Sequence, residues 1–182
     1  MTLYNDFKST GKVKLKETLG KNNIHQTPVI DKVIVSMGIG SLVTRKGVKD
    51  FSDLEDNLKD ITGQKAQLIK SKKSISNFKL REEMPVMLKV TLRKKKAFDF
   101  LERLNTMVLP RVRDYDGLKV KKFDGKGNYN MGFNNQVVFP EIDPEAIKTP
   151  MGIQVTICTT ADDNSDAKEL LKSLGFIFNE KK

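Results

Sequence analysis

The chain has one cysteine, Cys158, one histidine, His25, and no tryptophan. A lone cysteine excludes an internal disulfide and suits a reduced setting. One histidine and one cysteine leave almost no material for a zinc cluster or a nucleophile–base dyad. Aromatics make up 7% of the residues. No stretch resembles the aromatic-rich strand on which the common RNA-recognition motif stacks bases. No apolar run approaches the ~20 residues of a transmembrane helix. The opening residues lack the apolar segment of a signal peptide, so the expected setting is cytoplasmic. No enzyme activity, metal, cofactor, small-molecule substrate or membrane is expected.

What is present is positive charge. Among 182 residues, 33 are Lys or Arg and 23 are Asp or Glu, a net charge of +10. Residues 65–96 alone hold 11 basic and 2 acidic side chains, so nearly all of the excess arises there. Solvated surfaces normally mix both signs, whereas a concentrated positive field faces a polyanion. Nucleic acid fits this better than an anionic membrane, which calls for an amphipathic basic helix that the stretch does not form.

A chain of this length buries ~70% of its unfolded surface and needs no staple, so 1–182 reads as one domain. Residues 2–20 predict a helix ended by Gly20. Val29 to Met37 is short, apolar and β-branched, a strand that stops at Gly38-Ile39-Gly40. Val48, Phe51, Leu54, Leu58 and Ile61 recur at helical period up to Gly63. Ala66 to Ile69 reads as a second strand, and 70–85 as a long basic loop. Val86, Leu88, Val90 and Leu92 alternate with Met87, Lys89, Thr91 and Arg93, a strand with one polar face. A helix follows, stopped by Pro110. Residues 110–150 read as a long Gly- and Pro-containing loop in which only Gln136 to Phe139 looks like a strand. Ile153, Val155 and Ile157 predict the last strand. Asp163 or Asn164 is expected to cap the start of the last helix, and Gly175 its end. This mixture predicts an α+β fold: a mainly antiparallel sheet, helices on one face, and a polar, basic opposite face.

Several motifs fail as chemistry. Gly38-Ile39-Gly40 sits where a dinucleotide loop would, but Val43 replaces the third glycine, which leaves a tight turn. Gly125-Lys126-Gly127 lacks the upstream glycine and following Ser or Thr of a phosphate loop. Asp162, Asn164 and Asp166 open like a calcium loop, but Ala167 and Ser173 stand where glycine and glutamate are needed, so helix capping is expected. Glu82-Glu83 is a weak acid/base candidate. Phe78, alone among Ser, Lys and Arg, either lies out against a base or backbone or folds back onto the core.

Pro28–Gly40 (PVIDKVIVSMGIG), Thr62–Arg81 (TGQKAQLIKSKKSISNFKLR), Lys89–Arg93 (KVTLR), Leu109–Asp114 (LPRVRD), Phe123–Tyr129 (FDGKGNY) and Phe139–Asp143 (FPEID) stand in one order. In that order they resemble the family of bacterial large ribosomal subunit protein 5 over essentially the whole chain. The resemblance implies a single ribosomal RNA-binding domain that binds 5S rRNA and helps anchor it in the central protuberance. It also implies contacts with 23S rRNA, with other central-protuberance proteins, with small-subunit ribosomal protein 13 and with the P-site tRNA. By motif it places rRNA contacts at Ser36, Met37, Gly38, Gln64, Lys65, Lys89, Thr91 and Arg93. It places a tRNA-contacting loop at Lys72, Lys73, Asn77, Phe78, Lys79 and Arg81. The family usually has Asn where this chain has Ser36, which loses the amide's second donor. The alternatives are a generic basic RNA-binding module or adaptor outside the ribosome, with Asp50, Asp53, Glu55 and Asp56 meeting a basic partner, or an RNA-acting enzyme with a loop ordered by substrate.

Overall fold

The structure is a computed structural model that describes residues 3–48, 50–113 and 115–179. Thr2, at the start of the first expected helix, and Asp114, which closes the LPRVRD motif, lie outside the described residues. A helix over 3–19 (α1) leads to strand Ile30–Gly38 (β1). Helices Gly40–Lys46 (α2) and Ser52–Thr62 (α3) follow, then strands Gln67–Lys70 (β2) and Pro85–Arg93 (β3). Helix Lys94–Arg103 (α4) precedes the strands Leu118–Lys119 (β4), Tyr129–Phe133 (β5) and Ile153–Thr159 (β6). Helix Asn164–Ser173 (α5) and strand Phe178–Asn179 (β7) complete the chain. The main sheet runs β2-β3-β1-β6-β5, and β4 pairs in parallel with β7. The fold is α+β with a mainly antiparallel main sheet, as the order of elements predicts. Among the described residues no helix is long and apolar enough to cross a membrane.

The chain divides into two compact units, one of residues 1–33, 92–131 and 156–182, the other of 34–91 and 132–155. In the first, α1 packs on α4 and α5. Phe98, Leu101, Leu104, Leu170 and Leu171 are buried there. In the second, Leu54, Leu58 and Ile61 turn one face of α3 inward, the face their spacing predicts. That helix stops at Gly63, whose φ of +65° suits glycine and whose N–H donates to the Lys59 carbonyl at 2.6 Å.

Several expectations are corrected. Gln136–Val138 is a 3₁₀ turn, not a strand: Asn135 Oδ1 accepts from the Val137 N–H, and Gln136 is wholly buried. The strand in that region is β5, where Tyr129, Met131 and Phe133 are buried in alternation. Thus 110–150 is not one loop. Helix α2 has no counterpart in the sequence reading, and the turn at Gly38-Ile39-Gly40 opens it. Pro110 does not stop a regular α-helix: α4 first widens into a π-helical stretch, Leu104–Val108. Pro110 then sits in the first turn of Leu109–Arg111, where its missing N–H costs nothing. Residues Phe7–Gly11 widen α1 in the same way. Asp163 does not cap α5 with its side chain. Asn164 Oδ1 instead accepts from the Gly127 N–H at 3.2 Å, and Asp166 pairs with Lys21 at 2.9 Å.

Tyr129 shows how burial tunes this core. Its phenol donates to the Lys119 carbonyl at 3.2 Å, and desolvation pushes its pKa up to about 12. The unfolded value is near 10. Because the folded value is the higher, this contribution to stability is complete below pH 10 and is lost as pH rises towards 12. We expect ultraviolet titration to show Tyr129 ionising well above the ordinary tyrosine range, together with alkaline loss of structure.

Candidate nucleic-acid interface

The residue pattern of β3 creates the site. Leu88, Val90 and Leu92 are buried, which leaves Lys89 and Thr91 partly exposed and Arg93 exposed. In the second unit, β2 pairs antiparallel with β3 and sets Gln67 opposite Lys89. Gln64 and Lys65, both exposed, lead into β2 directly after the left-handed stop at Gly63. Gln64, Lys65, Lys89 and Thr91 therefore stand on or beside one hairpin, and their donors match phosphates, ribose hydroxyls and base edges.

Gly38 ends β1, the central strand. The Ile39 N–H donates to the Val86 carbonyl at 2.9 Å, which fixes the turn beside the start of β3. Gly38 is exposed and has no left-handed φ, and a Cβ added there meets nothing within 4 Å. Neither φ nor crowding within the described residues requires glycine at this position. Ser36 and Met37 stand differently. Ser36 is 9% exposed and Met37 is fully buried. The Met37 side chain is core, because β1 is the middle strand, and only its backbone can face a partner.

In the first unit, Arg93 Nη1 lies 3.5 Å from Asp31 Oδ1. Both side chains are exposed, so the pair is a weak surface one.

The basic loop is an ordered extension of the β2–β3 hairpin. Ser71 and Met84 close its base through an N–H to carbonyl bond of 2.8 Å. Ile75 and Leu80 exchange two backbone hydrogen bonds, and Ser74 Oγ accepts from the Glu82 N–H. Lys72, Lys73, Asn77, Phe78, Lys79 and Arg81 are all exposed on it. Phe78 is 72% exposed, so it lies outward and not on the core. Lys79 at the tip has φ +52°. Glu83 is no acid/base group: it pairs with Lys70 at 2.8 Å, and that hydrogen bond holds its carboxyl below the usual range.

Sequence reasoning missed one component. Ser41, Thr44 and Arg45 of α2 face Asn77, Phe78 and Lys79 across an open cleft of about 580 Å³. Helix α2 has seven residues and buries only Leu42, so no periodicity announces it. Among the described residues no group of three His, Cys, Asp or Glu is placed to hold a metal. On the acidic surface, Asp53 is paired with Lys148 at 2.8 Å. Asp50 accepts from the Ser52 N–H, which lowers its pKa.

Residues 23–81 match the family described as ribosomal protein L5, and residues 85–178 match the C-terminus of the same ribosomal protein family. The chain belongs to the L5 family of ribosomal proteins. It is 45% identical over 166 residues to the large ribosomal subunit protein uL5 of Bdellovibrio bacteriovorus, covering 91% of this chain and 92% of the relative. It is 44% identical over 178 residues to uL5 of Flavobacterium johnsoniae, covering 98% and 96%. L5 proteins are structural components of the large ribosomal subunit, not enzymes.

Proposed function

We propose that this L5 protein binds 5S rRNA through the exposed hairpin surface of Gln64, Lys65, Lys89 and Thr91, with Gly38 and Arg93 as further contacts. In this reading it helps anchor 5S rRNA in the central protuberance beside 23S rRNA and other proteins. The ordered tip from Lys72 to Arg81 reaches the P-site tRNA, and small-subunit ribosomal protein 13 is its partner on the head. The observation that carries the reading is Gly38, an exposed glycine that neither φ nor crowding within the chain requires. Phosphate contacts by lysine and arginine supply affinity, while Gln64 and Thr91 fix register. A flat polar surface suits an A-form helix, which is read by shape, 2′-hydroxyls and phosphates.

The test is a filter-binding titration against 5S rRNA with competing tRNA. Arg93→Ala is expected to weaken 5S binding about tenfold, the size of one charge-assisted hydrogen bond. Gly38→Ala is expected to weaken it with no loss of melting temperature, since the new methyl meets nothing inside the protein. Lys126→Ala, on a turn in the first unit, is expected to matter less. Equal binding to both RNAs, or negligible effects of Gly38→Ala and Arg93→Ala, would overturn the assignment.

A further inference from the structure

A pocket away from the β2–β3 hairpin lies wholly within the first unit. There α1, the start of β1 and the start of α4 line an open pocket of about 280 Å³. Its inner wall is apolar: Phe7, Ile30 and Phe98 are at least nine-tenths buried. The Tyr4 ring meets Phe98 edge-on at 5.4 Å between centroids, and Phe7 meets Phe98 at 5.5 Å. Lysines line the rest of the cavity: Lys8 and Lys12 from α1, and Lys94 from α4. The one acidic lining residue is Asp31, which already faces Lys32 at 3.4 Å and Arg93 at 3.5 Å.

Lys94 carries an independent mark. Its φ is +51°, a left-handed conformation that a side-chain-bearing residue adopts only at a cost. Such strain collects at ligand sites, where the surroundings impose it.

The shape and charge select the occupant. A volume just below the ~300–1,000 Å³ of pockets for drug-sized ligands admits one base with its sugar, not a duplex. Aromatic walls accept the face of any base, and three ammonium groups accept phosphates. We propose that this cavity takes one unstacked nucleotide of ribosomal RNA, its base against Tyr4 and Phe98 and its phosphates on Lys8, Lys12 and Lys94. The proposal rests on the RNA-binding reading but adds a site away from the β2–β3 hairpin. None of the motifs that carry the family resemblance supplies Tyr4, Phe7, Lys8, Lys12 or Phe98.

Two variants test it. Lys8→Gln/Lys12→Gln/Lys94→Gly removes the three charges, and glycine at 94 relieves the backbone strain, so folding is preserved. Tyr4→Leu removes the ring but keeps apolar volume. Each full-length variant is titrated against 5S rRNA and, separately, against protein-stripped 23S rRNA, which identifies the source of the nucleotide. We expect each variant to bind one of the two RNAs about tenfold more weakly. We also expect the triple variant to lower the steepness of the salt dependence by about 2 in log–log slope, with melting temperature maintained. Ultraviolet irradiation of intact large subunits is expected to leave a nucleotide adduct on the peptide containing Tyr4 or Phe98, whose rings the base would stack against. Unchanged affinity of both variants for both RNAs overturns the proposal, as does cross-linking of these peptides to a neighbouring protein alone. If Arg93→Ala still weakens 5S binding in that case, only the cavity assignment falls. If wild-type protein does not prefer 5S rRNA to tRNA, the wider reading falls first.

Discussion

Between ~50 and ~200 mM salt the affinity of this protein for 5S rRNA is expected to fall by ~10³ or more, the behaviour of a complex that neutralises about six or more phosphates. The charge for this is concentrated: residues 65–96 hold 11 of the 33 basic side chains and only 2 of the 23 acidic ones. The structure leaves Lys65, Lys70, Lys72, Lys73, Lys79, Arg81 and Arg93 to Lys96 exposed. Of the two acids in this stretch, Glu83 offsets only Lys70. Salt does not act by unfolding the protein. The ion pairs among the described residues are largely surface pairs and contribute little to folding. Circular dichroism at both salt concentrations should therefore be superimposable while the binding isotherms separate. A fall of less than about tenfold would show that phosphate neutralisation is not the source of affinity, whatever the sequence of the RNA.

The second large effect is on stability. Gly127→Ala is expected to cost about 3 kcal/mol, which lowers the melting temperature by ~6–12 °C for a chain of this size. Gly127 has φ +73°, and a Cβ there would lie 2.7 Å from the Ala161 carbonyl oxygen and 2.9 Å from the Ala161 Cβ. The left-handed conformation alone costs ~1–2 kcal/mol for alanine, and the clash adds the rest. The clash cannot be relieved locally, because the turn is held on all sides. Asp124 Oδ1 accepts from the N–H groups of Lys126 and Asn128 at 2.8 and 3.0 Å. The Gly127 carbonyl accepts from Thr159 Oγ1 at 2.8 Å, and Asn128 Oδ1 accepts from the Thr159 N–H. Gly125→Ala is the control. It too has positive φ, at +88°, but open space around it, so only the conformational cost applies. If thermal melts place the two variants within about 2 °C of each other, the contact with Ala161 is not what requires glycine at 127. The hydrogen bond from the Asn128 side chain, with those from the backbone, holds the Asp124 carboxyl below its usual range. The turn keeps this support at neutral pH and loses it only as acid protonates Asp124 below that range.

Some of this was legible in the residues alone. The alternation from Val86 to Arg93 determined both the strand and which side chains it presents, because a strand's period of two sends neighbours to opposite faces. The spacing of Leu54, Leu58 and Ile61 before Gly63 determined a helix and its end, because burial at helical period leaves a pattern. The ordered motifs determined the family, and charge counting located the basic loop. What stayed hidden has a common cause: local patterns record burial only when an element is long and one-sided. Helix α2 is short and buries one residue. Strand β5 alternates Tyr129, Met131 and Phe133 with Asn130 and Gly132, and the low strand preference of the latter two masked it. Gln136 reads as strand because its neighbours are apolar, yet the Val137 N–H donates to Asn135 Oδ1 and turns the backbone there. The loop from Ser71 to Met84 is ordered by hydrogen bonds between its own two arms, which composition does not record. Met37 carried a contact in the motif but a core side chain in the fold, because the strand order places β1 in the middle of the sheet. The sequence by itself thus determined the family, the charge and the long amphipathic elements. Only the tertiary structure decided which motif residues reach the surface, and that Tyr4, Phe98 and three lysines from separate parts of the chain line one cavity.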